Sequence, residues 1–304
     1  MKLSTFDAFK RLKPDAAVPV EGERLKALQT CLAAILDDIA LVCEAEGVDW
    51  ALGGGSALGA LRHQGFVPWD DDLDVNMPRT DWRRFREAFE RRFGERYVVY
   101  EPGAPRDYPL AFPRIRLRGS RYVTREDLLF PELEAGAFVD VFMLEGTFDL
   151  AAARFAHGLG SLALGFLYSC RKQFFERRFL RQWGLTGGAF RLKRAIGFCL
   201  AWGSLGFWTR TWDRWNACCR RPTTRYVTFP VGRRHFFGEL ALRDGMRGGR
   251  WLPFEGRRVR CVRALEAYME RLYGAAYLTP PPPERRERHA VFGPLLLPGD
   301  RSKC

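Results

Sequence analysis

The chain has 304 residues, 47% of them hydrophobic and 28% charged, which is enough apolar material for one large domain or a domain with an appendage. A formal net charge of +13 favours an anionic partner, whether nucleotide, nucleic acid or an acidic membrane surface, and charge alone does not choose among them. No stretch offers the roughly 20 uninterrupted apolar residues of a membrane span, and the segment from Met1 to Asp15 lacks the apolar run of a secretory leader. The eight cysteines show no CxxC pair and no zinc-type spacing, so they read as reduced thiols of a cytoplasmic protein.

Along the chain, apolar residues first recur at Leu25, Leu28, Leu32, Ile35, Ile39 and Val42, one face of a helix predicted from Glu23 to Glu46 and stopped by Gly47. A strand is predicted over Val48 to Leu52. Gly53, Gly54 and Gly55 then let the backbone turn tightly and approach a ligand, and Ser56 is placed to cap a short helix. A helix N-terminus reached through glycines suits phosphate, although a glycine run by itself is more often only a turn. Arg62 and His63 lie at the far end of that helix.

Next come Pro68 and Trp69 and a run of four carboxylates, Asp70, Asp71, Asp72 and Asp74. In Asp72-Leu73-Asp74-Val75, acidic and apolar residues alternate, which on a strand sends both carboxylates to one face and Leu73 and Val75 to the core. Burying such a set ionised and unpaired would cost several kcal/mol, so a counter-cation is expected, and hard oxygen ligands suit Mg²⁺ or Mn²⁺. The bland alternative is an acidic surface turn. It ranks lower because Trp69, Leu73, Val75 and Met77 make the run amphipathic.

Thr80 is placed to cap a second helix whose Trp82, Phe85, Phe89 and Phe93 form an apolar stripe for the core. Strands are predicted over Tyr97 to Tyr100, Leu110 to Leu117 and Arg121 to Thr124, with Gly119-Ser120 turning between the last two. Arg114 and Arg116 alternate with Ile115 and Leu117, so both guanidiniums share a face that either forks onto phosphate oxygens or is simply solvated. Ala137 to Phe142 reads as a buried strand broken by Asp140, which needs a metal or a turn to cap.

Basic residues then crowd Arg171 to Arg194, interleaved with Phe174, Phe175, Phe179, Trp183 and Phe190, and Ala195 to Trp208 is almost wholly apolar. That apolar run is too short to span a bilayer. It suits either an interfacial helix on an anionic membrane or an insertion packed on the rest of the domain, and the sequence leaves both open. Nucleic-acid binding ranks last, because no nucleic-acid motif accompanies the basic residues. Further on, Glu255 beside Gly256 reads as fixing a turn ahead of adding a ligand or binding the acceptor, Pro280 to Pro283 as a rigid extended cover or a partner-binding segment, and His289 stays a weak candidate.

The order strand, Gly-Gly-Ser, short helix, Asp-x-Asp on a strand is the layout of the nucleotidyltransferase fold. Leu58-Gly59-Ala60, Arg62-His63, Gly65-Phe66 and Pro68-Trp69-Asp70-Asp71-Asp72 resemble the LicD family, which includes bacterial phosphocholine transferases and, more distantly, fukutin and fukutin-related protein. Phe138-Val139-Asp140-Val141-Phe142 and the later Phe254-Glu255-Gly256, Tyr273-Gly274, proline and His289-Ala290 elements also resemble the family pattern.

The resemblance implies an α+β fold, with a polymerase-β-type mixed sheet flanked by helices. On this reading residues 1–149 form the catalytic core, 150–225 a basic, aromatic helical insertion, and 226–304 a segment completing the core. It implies that Asp72, Asp74 and Asp140 hold a divalent metal, that Gly54, Gly55, Ser56, Arg62, His63 and Arg114 meet the phosphates of a CDP-alcohol donor, and that Asp70 or Asp71 takes the acceptor's proton or adds a ligand. LicD-like proteins usually carry lysine at the position of Arg114; the arginine keeps the charge and changes the donor geometry. The implied reaction is transfer of phosphocholine to a glycan or lipid-linked sugar, by a cytoplasmic protein that is soluble or peripheral on the inner face of the membrane. Two alternatives are a nucleotidyltransferase acting on a small acceptor and a binding module without catalysis.

Overall fold

The computed structural model describes residues 17–300, apart from 107, 183, 185, 186 and 288. The stretch read for a leader, Trp183 and Cys304 lie outside the described residues. In chain order the elements begin with β1 (Ala17–Val18), α1 (Gly22–Ala45), β2 (Ala51–Leu52), α2 (Gly54–His63), β3 (Asp74–Pro78), α3 (Arg79–Phe93), β4 (Tyr97–Tyr100), β5 (Arg114–Leu117) and β6 (Phe138–Thr147). Four helices follow: α4 (Ala151–Phe175), α5 (Arg177–Gln182), α6 (Gly188–Cys199) and α7 (Leu205–Asn216). The chain then runs through β7 (Tyr226–Thr228), α8 (His235–Gly238), β8 (Ala241–Leu242), α9 (Arg243–Met246), β9 (Gly248–Phe254), β10 (Arg257–Val262), α10 (Leu265–Tyr273) and β11 (Val291–Phe292).

The main sheet has the order β2-β3-β6-β5-β4, with β7 paired to the far end of β6 and β8 to β7. It is mixed: β3 and β6 run parallel and every other pair is antiparallel. Parallel neighbours require a crossover, here built from α3, β4 and β5. With helices on the sheet, this is the α+β, nucleotidyltransferase-like architecture. Residues 226–242 are in that sheet through β7 and β8. β9 and β10 form a separate hairpin, and β1 pairs with β11, Ala17 opposite Phe292.

One apolar core holds the sheet and its helices together. The stripe of α1 buries Leu28, Leu32, Ile35 and Ile39 almost completely, and α3 buries Trp82, Phe85 and Phe89. Full burial of each such side chain contributes about 1.5–3 kcal/mol. Several local expectations shift. α3 begins directly after Pro78 with no side-chain cap, and Thr80 lies inside its first turn. Arg121 to Thr124 is not a strand of the sheet: Arg121 bridges Leu296, and Val123 accepts from the N–H of Phe292, so the C-terminal segment takes up the pairing expected of β5. The apolar run from Ala195 to Trp208 is two helices, because Ser204 caps α7 by accepting from the N–H of Phe207 at 3.1 Å.

Within the helical layer from α4 to α7, α4 and α7 bury a second, smaller core of Tyr168, Leu205, Trp208 and Trp212, joined by Ala111 and Phe130. A Cβ at Gly160 would lie 2.3 Å from Trp215, and one at Gly165 would lie 2.8 Å from Trp212, so these glycines are what let α7 close on α4. Arg79, at the start of α3, ties this layer to the sheet. Its guanidinium donates to Glu145 of β6 at 2.8 Å and to Asp213 of α7 at 2.5 Å. Among the described residues no helix is long and apolar enough to cross a membrane, and the described cysteines are all free.

Candidate active site

Three charged side chains form one row across the sheet. Asp74 on β3 is in register with Asp140 on β6, and Asp140 with Arg114 on β5. In-register residues share a face, and here Arg114 forks onto Asp140, with Nε to Oδ1 at 2.6 Å and Nη2 to Oδ2 at 2.8 Å. Both are buried, and Arg114 lies on the Phe138 ring at 3.4 Å. Among the described residues its Nη1 has no hydrogen-bond partner. Arg116, 5.3 Å from the same ring, is committed to an ion pair with Asp127 at 2.6 Å, which makes it a structural residue.

The acidic run arrives beside this row. β3 begins only at Asp74, yet the alternation read from the sequence persists, since Asp71, Leu73 and Val75 are buried and Asp72 and Asp74 are half-buried between them. Its backbone is pinned from several sides. The N–H of Asp74 donates to Ser56 Oγ at 2.9 Å, the N–H of Gly53 donates to Asp74 O at 2.9 Å, and the buried Gln29 of α1 donates to Asp70 O at 3.0 Å. Ser56 is therefore not the cap of α2. Gly53 occupies that position, and the Ser56 hydroxyl is buried and committed to the backbone of β3.

Glycine is needed at the head of α2 because carboxylates occupy the space a side chain would fill. A Cβ at Gly54, whose φ is +42°, would lie 2.7 Å from Asp74 Oδ2, and one at Gly55 would lie 2.8 Å from Asp70 Oδ2. The positive end of α2 thus faces Asp70 and Asp74. The hydroxyl of Tyr268 accepts from the N–H of Gly54 at 3.4 Å and from Asn76 Nδ2 at 3.2 Å, and half-buried Tyr273 lies beside the same turn.

Burial and mutual repulsion raise the Asp70 and Asp74 carboxyls well above the ordinary range. Asp72 is also raised, by burial first, with part of the shift returned by His289 and by a hydrogen bond with Asp70. Asp71 has a different part. It accepts from the Tyr122 hydroxyl at 3.0 Å and from the backbone N–H of His289 at 3.2 Å, and pairs with His289 Nδ1 at 3.0 Å. His289 Nε2 reaches Asp72 at 3.7 Å. Burial would depress the ring, but the Asp71 charge and hydrogen bond, with Asp72, outweigh it and raise His289 to about 10.

Arg62 and His63 sit at the other end of α2 from the glycines. Arg62 Nε donates to His63 Nε2 at 2.9 Å and its Nη1 to the carbonyl of Tyr277 at 3.1 Å. The same guanidinium lies 6.0 Å from the Trp69 ring, next to Asp70, and Arg286 stacks on that ring at 4.1 Å. Among the described residues the buried Arg286 Nε has no hydrogen-bond partner. Glu255 stays structural: it accepts from the N–H of Phe66 at 3.2 Å and from Lys26 Nζ at 3.0 Å, holding the β9–β10 turn to the loop that leads into Trp69.

A divalent cation suits this donor set in its chemistry. Asp72 and Asp74 are hard oxygen ligands crowded by like charge, while Asp140 has both oxygens held by Arg114. Among the described residues no three His, Cys, Asp or Glu side chains enclose an ion. Mg²⁺ rarely asks for such a cage, being held as a rule by one or two carboxylates, waters and substrate phosphates. The open pair Asp72 and Asp74, with Asp70 beside it, meets that pattern.

The sheet, the glycine-headed helix and the acidic strand define a protein with a nucleotidyltransferase-type domain. Residues 47–109 match the family described as LicD/FKTN/FKRP, nucleotidyltransferase domain. Over 73 residues, 24% of this chain and 28% of the relative, it is 41% identical to the lipopolysaccharide cholinephosphotransferase LicD of Haemophilus influenzae. The similarity therefore spans under a third of that relative's length.

Proposed function

We propose that the chain is a metal-dependent transferase that moves a phospho-alcohol group, phosphocholine from CDP-choline before others, to a hydroxyl of a cell-surface glycan or lipid-linked sugar. The observation that carries this reading is the meeting of Asp70, Asp72 and Asp74 with the glycine-headed N-terminus of α2. The name of the Haemophilus influenzae relative supports the transferred group.

In this mechanism the donor diphosphate lies against Gly54 and Gly55, where α2 favours negative charge. Arg62 and Arg286, both at Trp69, hold its outer oxygens. Asp72 and Asp74 would hold a Mg²⁺ or Mn²⁺ ion, which would supply stabilisation of the negative charge that develops during the transfer. The acceptor hydroxyl forms a new P–O bond to the phosphorus bearing the alcohol, the P–O bond to CMP breaks, and CMP departs. Asp70 takes the hydroxyl proton. Asp71 is unsuited, since Tyr122 and His289 occupy its oxygens, whereas burial, with the neighbouring carboxylates, raises Asp70 and so favours its taking a proton. Arg114 forks onto Asp140 beside the site and fixes the row on which Asp74 stands.

The test is calorimetric titration of CDP-choline, CDP-ribitol and CTP into the protein, with and without Mg²⁺ or Mn²⁺, for wild type and Asp72→Asn/Asp74→Asn. Binding of one CDP-alcohol that requires the metal and is lost in the double variant is expected. Binding of none of the three sinks the assigned donor class. Preference for CTP, with pyrophosphate rather than CMP released on turnover, would instead establish a nucleotidyltransferase.

A further inference from the structure

α6 is amphipathic in the reverse of the usual sense. Its inward face carries Phe190, Lys193 and Gly197; Lys193 is buried and donates to Ser169 Oγ at 3.0 Å. Its outward face carries Leu192 and Phe198, 42% and 66% exposed, and continues past the helix end to Trp202, 72% exposed. Arg191, Ala195, Phe198 and Trp202 are all exposed at intervals of three to four residues, so a basic residue and an apolar stripe share one face. Phe207, 38% exposed at the start of α7, lies 5.3 Å from Trp202 and extends the patch around the corner.

The charge around this corner has one sign. From Arg177 to Trp212 there is no aspartate or glutamate, against seven lysines and arginines. Arg177 stacks on Phe174 at 4.5 Å, and Phe174 in turn packs edge-on against Phe198 at 5.8 Å. A guanidinium thus flanks the patch on the α5 side and Arg191 flanks it on α6.

We propose that the α6–α7 corner is a docking surface for an anionic phospholipid bilayer, with Phe198, Trp202 and Phe207 entering the headgroup region and Arg177 and Arg191 meeting lipid phosphates. An indole and phenyl rings at a corner with basic flanks match the composition of an interfacial contact, in which apolar burial and attraction to anionic lipid add. A second copy of the chain fits worse, because two such corners would bring like charge together. A nucleic acid would engage the arginines, but the apolar surface of Phe198 and Trp202 offers the flexible backbone no polar partner. The inference stands on surface residues only and is independent of the donor assigned above.

Flotation of the full chain with vesicles tests it, comparing equal parts phosphatidylglycerol and phosphatidylcholine with phosphatidylcholine alone, at low and high salt. The protein should float with the anionic vesicles, less so as salt rises, and Phe198→Ser/Trp202→Ser should lose most of that binding while keeping the wild-type far-ultraviolet circular dichroism. Arg177→Gln/Arg191→Gln should lower partitioning about thirtyfold, at ~1 kcal/mol for each arginine at the surface. Failure of the wild type to float with anionic vesicles, or serine variants that float equally well, would overturn the proposal. So would a dimer dissolved by the serine changes, or capture of single-stranded RNA by a protein that leaves vesicles untouched.

Discussion

Asp140 faces Arg114 on one neighbouring strand and Asp74 on the other, so its charge answers to both. Arg114→Met would leave a buried carboxylate with no counter-charge beside a second acid, a loss of about 3–5 kcal/mol in urea denaturation. Arg114→Met/Asp140→Asn should recover much of that, since both members of the pair are then neutral. Arg114→Lys should fall between, keeping the charge and losing the fork. At this scale the acidic run and Asp140 were legible as carboxylates placed in apolar surroundings. What was not legible is how they divide the work: that Asp140 is given to Arg114 and Asp71 to Tyr122 and His289 depends on residues 26 to 218 positions apart in the chain. Arg286 was missed altogether, because nothing in its local sequence distinguishes an arginine that stacks on Trp69 from a solvated one.

Helix α2 shows what glycine means at the level of an element. A Cβ at Gly59 would lie 2.4 Å from the carbonyl of Gly65, a backbone atom, whereas one at Gly65 would lie 2.3 Å from Glu255 Oε1, the end of a side chain that can move. Gly59→Ala should therefore destabilise by about 1–3 kcal/mol, as overpacking against a fixed wall does. Gly65→Ala should cost less, on the order of the one Glu255 hydrogen bond it displaces; thermal melts of the two variants decide the order. The positions of α1, α2 and α3 were readable because each carries a regular apolar stripe or a glycine head. The break between α6 and α7 was not, since hydrophobicity runs on through it and only the Ser204 cap marks the stop.

For the molecule as a whole, stability against pH carries a contribution from Glu239, which sits between α8 and β8. Burial raises its carboxyl from 4.5 to about 7, although the N–H of Arg234 donates to it at 2.9 Å. Between those values the folded protein keeps a proton that the unfolded chain gives up, so stability falls as pH rises through the window and the full cost stands above it. Glu239→Gln removes this dependence. The variant should gain on the wild type by on the order of 3 kcal/mol across that interval, read from urea midpoints at its two ends. Neither this burial nor the closing of β1 on β11 could be read locally, because each is made by parts of the chain that meet only in the finished fold.

The Arg79 guanidinium bridging Glu145 and Asp213 bears on reach. Along β6, Glu145 is five residues from Asp140, about 17 Å at the rise of a strand, and along α7 Asp213 is six residues from Phe207, about 9 Å. Strand, ion pair and helix are all stiff, so a bilayer gripped at Trp202 and Phe207 would hold the row of acids at a set stand-off. An acceptor would then be chosen by the height at which it presents its hydroxyl above the lipid as well as by its chemistry, and shortening its tether should silence it as surely as removing the hydroxyl.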